Sequence, residues 1–419
     1  MAAISGSETV STLNGLFKQV YGDDVKQLVP SSMKVQQLIP FKGGAKKLGD
    51  FYNQPVVLAW PGGFTEAAAS SGAFSLNPAA ASTMKNAQLS PSQIVLREYM
   101  DYEAAARSAA GVNAFVDGTK LVFEMMQKSA RKRLESLLLY GSVGLGVVSA
   151  SSSATSPTVI TFTAASWAPG IWSGCEGHSY DCWDATLTTQ RNTNAALVIS
   201  SMDVDARTVT FTGNNTDIAS IVATDVFFYR GGKGNEMAGI HKVVTNTGSL
   251  FGIDAASYNL WKATSFSAGN AALTFNKVKG AVGQAVGRGL DEDVLVLVNP
   301  KGWDNMMTDL AALRRFVEKS GKGMAYEIGS ENIVFYSQAG KIEIAPHIMV
   351  KEGFAYGLVK PSWVRVGATD LTFQTPGYGG QIFTQLGDYA GFDIRCYVSQ
   401  AILCEMPARN FVITNIVNA

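Results

Sequence analysis

Residues 111–146, GVNAFVDGTKLVFEMMQKSARKRLESLLLYGSVGLG, decide how this chain is read. Phe115, Val122, Met126, Ala130, Leu134 and Leu137 keep to one stripe at the helical period. Glu124 and Lys128, and Arg131 and Glu135, stand at the i,i+4 spacing that pairs opposite charges on an exposed face. Tyr140-Gly141 ends the pattern, with glycine expected to supply a left-handed cap. At roughly 1.5 Å per residue such a helix runs about 40 Å. That length suits a strut better than a catalytic domain.

The rest of the chain is charge-poor. Lys+Arg and Asp+Glu balance at 34 each in 419 residues, and charged residues make up 16%, below the usual quarter. A surface with so few charges favours association, so much of it is expected to lie against other copies. A zero formal charge argues against a dedicated nucleic-acid binder. The basic run Lys128 to Arg133 reads as a solvated helix face. Met1 to Val10 has neither the basic nor the apolar region of a signal peptide. Apolar runs such as Val294 to Val298 are strand-length and too short to span a bilayer. Four cysteines make no disulfide framework, which points to maturation in a reducing cytoplasm.

Residues 8–21 pattern as a short amphipathic helix, and Pro30 and Pro40 punctuate an extended arm after it. Residues 51–60, FYNQPVVLAW, read as a strand, with QIVLREYM at 93–100 as its return. The long connection between them carries a single charge, Glu66, from Pro61 to Met84. A hairpin tip so poor in charge is explained if a neighbouring subunit covers it. Residues 148–282 hold short strand-like segments at 159–162, 197–200, 208–212 and 226–229, and suggest a small barrel. Beyond Asp291 the chain turns α/β. Val294 to Val298 is a buried strand and Asn299-Pro300 breaks it. A helix runs from Trp303 to Phe316, and strands follow near 332–336, 341–344 and 355–359. The end alternates in period 2 at Phe392, Ile394, Cys396 and Val398.

Chemistry is sparse. Gly141, Gly144 and Gly146 follow a helix C-terminus, whereas phosphate loops precede a helix. Cys175, His178 and Cys182, with Asp181 between, are zinc-ligand types without the paired spacing of a zinc site. A Cys175–Cys182 disulfide would require an oxidising medium. His178, His241 and His347 sit in no nucleophile arrangement, and His347 reads as a packed structural group. Asp291, Glu292 and Asp293 read as a solvated turn rather than a hydrolase's carboxylates. Trp167, Trp172, Trp183 and Trp261 either fill a barrel core or, if exposed, could stack on sugars. No catalytic, cofactor or metal residue emerges.

The order of parts resembles the major capsid proteins of tailed bacteriophages, the Hong Kong 97-type family. The resemblance rests on an arm, a long hairpin, a helix ending in LLLYGSVGLGVV, and a closing α/β half. That half contains VLVNPKGWDNMMTDLAALRRF, GKIEIAPHIMVKEGFAYGLVKPSWVRVG and GFDIRCYVSQAILCEMPARNFVITNI. It implies an α+β fold divided as arm 1–48, E-loop hairpin 49–103, spine helix 104–147, β-rich insertion 148–282, peripheral domain 283–322, axial domain 323–375 and peripheral C-terminal strands 376–419. It further implies a non-enzymatic shell protein that needs no cofactor and assembles through hexamers and pentamers around double-stranded DNA. The rival reading is a carbohydrate-binding or adhesive β module. The start at Met1 suggests no cleaved scaffold segment, hence a separate scaffolding protein. A portal, and in some relatives a decoration protein, would be further partners. Some members join subunits by a lysine–asparagine isopeptide bond. Lys85 as donor and Asn410 or Asn415 as acceptor are the residues to consider here, although nothing in the sequence ties them together.

Overall fold

The computed structural model describes residues 33–43, 51–70, 72–101, 103, 118–308, 333–374, 382–385 and 391–418. The expected helix at 8–21, Phe115 on the long helix, and the part of the expected helix Trp303 to Phe316 that lies beyond residue 308 fall outside them.

The long helix runs Gly118–Tyr140. Its stripe is buried as the period requires: Met126 and Ala130 pack on Ile394 and Cys396, while Leu134 and Leu137 enter the main core. Its ending differs from expectation. The left-handed residue is Ser142, at φ 64°, and not Gly141. Gly141 is needed for close approach, because a Cβ there would lie 2.2 Å from the Met237 carbonyl oxygen. The pairing of Glu135 with Arg131 is also corrected. Glu135 turns inward, is fully buried, and accepts from the backbone N–H groups of Val35 (2.7 Å) and Gln36 (3.0 Å). Those N–H groups begin the helix Lys34–Leu38, so the segment expected to be extended before Pro40 is helical. A carboxylate there satisfies orphan amides and opposes the positive end of the helix dipole. The basic run is likewise only half solvated. Lys128 and Arg131 are exposed, but Lys132 is buried with its ammonium on the Ser173 carbonyl, and Arg133 lies 4.2 Å over the Tyr229 ring.

Among the described residues, the three largest sheet systems share cores with this helix or with one another. A five-stranded sheet orders Phe41–Gly43, Trp363–Thr372, Gly391–Cys404 and Phe383–Gln385, with Ser92–Asp101 also paired to Gly391–Cys404. A six-stranded sheet orders Thr264–Ala271, Phe411–Ile416, Ala355–Leu358, Val294–Val298, Gly340–Pro346 and Ile333–Ser337. Its middle strand, VLVLV, is buried throughout, as a strand covered on both faces must be. Asn299 ends that strand and caps the helix Pro300–Met307 by accepting from Lys301 N–H at 2.9 Å.

The third system is a closed antiparallel barrel of Val226–Tyr229, Gly146–Ser151, Thr158–Phe162, Thr208–Thr212, Leu197–Asp203 and Ser179–Trp183. Aromatic rings fill it. Trp172 stacks on Phe162 at 4.6 Å and Phe211 on Phe227 at 4.8 Å.

These sheets draw strands from several of the expected segments together. The segment 148–282 does not pack as one unit, because Thr264–Ala271 lies parallel to Phe411–Ile416 in the six-stranded sheet. Strands from 283–322, 323–375 and 376–419 share that sheet, while Trp363–Thr372 belongs to the five-stranded one. Sheet partners come from distant sequence, so contiguous segments do not mark the packed units.

Candidate assembly surface

The hairpin pairs Tyr52–Ala59 with Thr83–Leu89, and not with 93–100 as expected. The expected return, within Ser92–Asp101, instead pairs along its length with Gly391–Cys404. Pro91 lacks a donor and separates the two strands. Thr83–Leu89 escaped notice because most of its residues are exposed, so it carries no clean alternation.

The hairpin's far end is ordered by its own contacts. Gly62 N–H donates to the Ala80 carbonyl at 2.9 Å. Asn77 donates through its backbone N–H to Thr65 Oγ1 and through its side chain to the Phe64 carbonyl, both at 2.8 Å. Gly63 holds φ 89°, where a Cβ would meet the Pro78 oxygen at 2.8 Å. Large apolar side chains stand bare on this frame: Trp60 is 87% exposed, Phe64 85% and Leu76 79%. Exposed aromatic groups held by a built turn mark a contact site. Near its base the hairpin touches its own chain, where Gln88 N–H donates to the Phe251 carbonyl at 2.9 Å.

The five-stranded sheet has a second bare face. Arg97 faces Arg395 across the strand pair, Tyr99 faces Asp393, and Val95 faces Tyr397. Asp393 is buried and bridges both arginines, at 3.1 Å from Arg97 Nε and 2.8 Å from Arg395 Nε. Burial alone would raise the Asp393 carboxyl, but the bonds from Arg97 and Arg395 outweigh it and hold it below the usual carboxylate range. The Arg97 guanidinium sits 4.4 Å over the Tyr99 ring. Sequence reasoning missed this group; the signal was period-2 alternation in two strands whose pairing only the fold reveals.

Where the long helix meets the barrel, a half-buried carboxylate and a buried ammonium grip the turn. Glu236 accepts from Ser142 N–H at 3.1 Å, and Lys351 donates to the Gly144 carbonyl at 2.8 Å. Burial pushes Glu236 up to about 7, against the Ser142 bond and the Arg133 charge, and pushes Lys351 down to about 7. Glu352 next to it bridges Arg207 of the barrel and Lys301, both at 3.1 Å.

The other candidate residues are structural in this fold. Cys175 and Cys182 are buried and all four cysteines are free, while His178 is exposed. Among the described residues no group of three or more His, Cys, Asp and Glu side chains could hold a metal. His347 is buried and bonded to Glu135 at 2.9 Å. His241 bonds the Tyr356 hydroxyl at 2.8 Å, and burial followed by the Lys351 and Lys242 charges lowers it to about 3. Asp291 and Glu292 pair with Arg409, and Asp293 accepts from Lys341 N–H at 2.8 Å. Trp167, Trp172 and Trp261 are buried, which removes them as sugar platforms. Lys85 lies over the Tyr258 ring at 5.1 Å. The Asn410 amide is fully buried, accepting from Val359 N–H and Trp363 Nε1–H, and so is unavailable as an acceptor of a neighbour's lysine. Asn415 is exposed and donates to Ser267 Oγ. No described helix is long and apolar enough to cross a membrane.

Over nearly its whole length the chain is similar to a chain of the cyanophage A-1(L) capsid asymmetric unit. The identity is 11% and the TM-score 0.56, with 98% of this chain and 99% of that chain covered. It is similar also to the capsid chain of a native GTA particle, at 8% identity and TM-score 0.51, covering 99% and 100%. No protein-family model matches the sequence, and no curated protein matches it. The chain has the Hong Kong 97-type fold of phage capsid proteins.

Proposed function

We propose that this chain is the major capsid protein of a tailed virus of bacteria. Copies associate through hexamers and pentamers into an icosahedral shell around double-stranded DNA. The whole-chain capsid fold together with the bare, ordered hairpin tip supports the reading, because large apolar side chains held exposed on an ordered frame mark a surface that another molecule covers. Each contact need bind only modestly, since many linked contacts in a closed shell give large avidity. The low charge lets packaged DNA be held without tight, salt-dependent phosphate binding. The protein assembles in the host cytoplasm and ends in the virion, with a separate scaffolding protein, a portal and in some particles a decoration protein as partners.

Sedimentation and electron microscopy of the full-length chain, expressed alone and with its virus's scaffolding protein, test this. Capsomers or shells are expected. A protein that stays monomeric at high concentration under both conditions overturns the reading.

A further inference from the structure

The connection between the barrel strands Thr158–Phe162 and Ser179–Trp183 brings a thiol against the long helix. Cys175 Sγ lies 3.6 Å from Lys132 Nζ, and both side chains are buried. The turn after the short helix Pro169–Trp172 holds the thiol in place. Cys175 N–H donates to the Trp172 carbonyl at 3.2 Å, and His178 N–H donates to the Cys175 carbonyl at 3.0 Å. The lysine is held by the same turn, on the Ser173 carbonyl. The fully buried Tyr180 hydroxyl neighbours the sulfur and has no other hydrogen-bond partner among the described residues.

The thiol is buried but not deep. Gly174 before it and Glu176 and Gly177 after it are exposed, so a molecule the size of hydrogen peroxide has a short way in. A sulfenic acid formed there would find a hydroxyl donor in Tyr180 and a nitrogen nucleophile in Lys132. Sulfenic acids condense with nearby nitrogen to give an S–N bond.

We propose that Cys175 and Lys132 are a modification site, at which a peroxide oxidant ties the barrel to the long helix through a sulfenamide. Hydrogen peroxide transfers one oxygen to the Cys175 sulfur; its O–O bond breaks, the sulfur is oxidised to a sulfenic acid, and water leaves. Lys132 Nζ in its neutral form then attacks that sulfur. The S–N bond forms, the S–O bond breaks, and the hydroxyl departs with an amine proton as a second water. In a reducing cytoplasm thiols keep the pair open. In an oxidising medium the link adds a second covalent tie to the turn at 141–145 and fixes the barrel's seat on the helix, by the loop closure that lets a disulfide stabilise. The link lies within one chain and does not depend on the shell-forming reading.

The test uses the folded full-length wild type. It is treated with dilute hydrogen peroxide, quenched, alkylated at its remaining thiols, digested and weighed by mass spectrometry. The peptides holding Lys132 and Cys175 are expected joined, at the sum of their masses less two hydrogens, and separated again by dithiothreitol. The same treatment is expected to raise the melting temperature by several degrees, reversibly with dithiothreitol. Lys132→Arg keeps a cation at the site and should lose both the joined peptide and the rise. Cys175 recovered as an alkylated thiol, as a sulfinic acid or in a disulfide with Cys182 overturns the proposal. A joined pair heavier by one oxygen overturns the direct S–N bond. An equal rise in oxidised Lys132→Arg overturns the link as the source of the stabilisation.

Discussion

Glu135 on the long helix and His347 after the strand Gly340–Pro346 meet at 2.9 Å with neither side chain exposed. His347 Nδ1 accepts from Met349 N–H at 3.0 Å, so Nε2 carries the proton and donates to the carboxylate. The same carboxylate caps the helix Lys34–Leu38. At that helix's other end, buried Arg365 donates to the Ile39 carbonyl at 2.9 Å. A five-residue helix, too short to stand alone in water, is thus held between a buried anion and a buried cation that match its dipole.

Glu135→Ala leaves three donors without an acceptor, two of them buried and the Gln36 N–H half-buried. At roughly 1–3 kcal/mol each, the loss should be about 3 kcal/mol or more. Glu135→Gln keeps one accepting oxygen and should cost less. Guanidinium denaturation measures both, and hydrogen exchange at Val35 and Gln36 should accelerate in the alanine variant. Unchanged protection at those amides would mean that the cap lies elsewhere.

The hairpin tip should be dispensable for folding. Replacing residues 63–79 with a short Asn-Gly turn removes side chains that, among the described residues, are almost all exposed, and leaves both strands intact. The melting temperature should stay within a few degrees while particle yield collapses. Normal yield of stable particles would remove the tip from the assembly contacts.

Proline inside the long helix should not be tolerated. Ala130 is buried against Ile394 and Cys396, and Ala130→Pro removes a backbone bond at a cost of about 3 kcal/mol or more. Insoluble or poorly helical protein is expected. A soluble variant with full helicity would contradict a continuous helix there.

The turn between helix and barrel should register pH. Lys351 has an ordinary value of 10.5 and a folded value of about 7. Between these the unfolded chain binds a proton that the folded chain does not, so this group makes stability rise with pH from about 7 to 10.5. Glu236 has the opposite sign. Its carboxyl is raised from 4.5 to about 7, so the folded chain holds the extra proton and stability falls as pH climbs through that window. The joint is therefore weakest near pH 7. Lys351→Met should abolish the alkaline rise, read as denaturation midpoints at pH 7 and 9.5. An identical slope in wild type and variant would refute the assignment.

The barrel should not fold alone. It shares one core with the long helix and the body, and backbone bonds join it to 348–353: Gly353 N–H to the Ala165 carbonyl, Glu352 N–H to the Trp167 carbonyl and Gly170 N–H to the Ile348 carbonyl. A fragment of residues 144–232 should lack a cooperative melt. Trp172→Ala, which empties a fully buried site at about 3–5 kcal/mol, should lower a single whole-chain transition. A separate, early barrel transition would show an autonomous module.

Local chemistry in the sequence determined the long helix, its buried stripe, the VLVLV strand with its break at Asn299-Pro300 and four of the six barrel strands, because each depends on periodicity or turn residues within a few positions. The charge-poor tip with its single Glu66 was legible for the same reason. Tertiary structure alone decided the rest. Arg131 and Glu135 have the spacing of a surface pair, but burial gives Glu135 to Val35, Gln36 and His347, from positions 99 or more residues away. The strand at 93–100 was visible, yet its partner is Gly391–Cys404 and not the hairpin, and with that pairing came the Arg97–Asp393–Arg395 notch. Strand pairing and the desolvation of charges are set by what the folded chain brings alongside, and no local pattern in a single sequence encodes that neighbour.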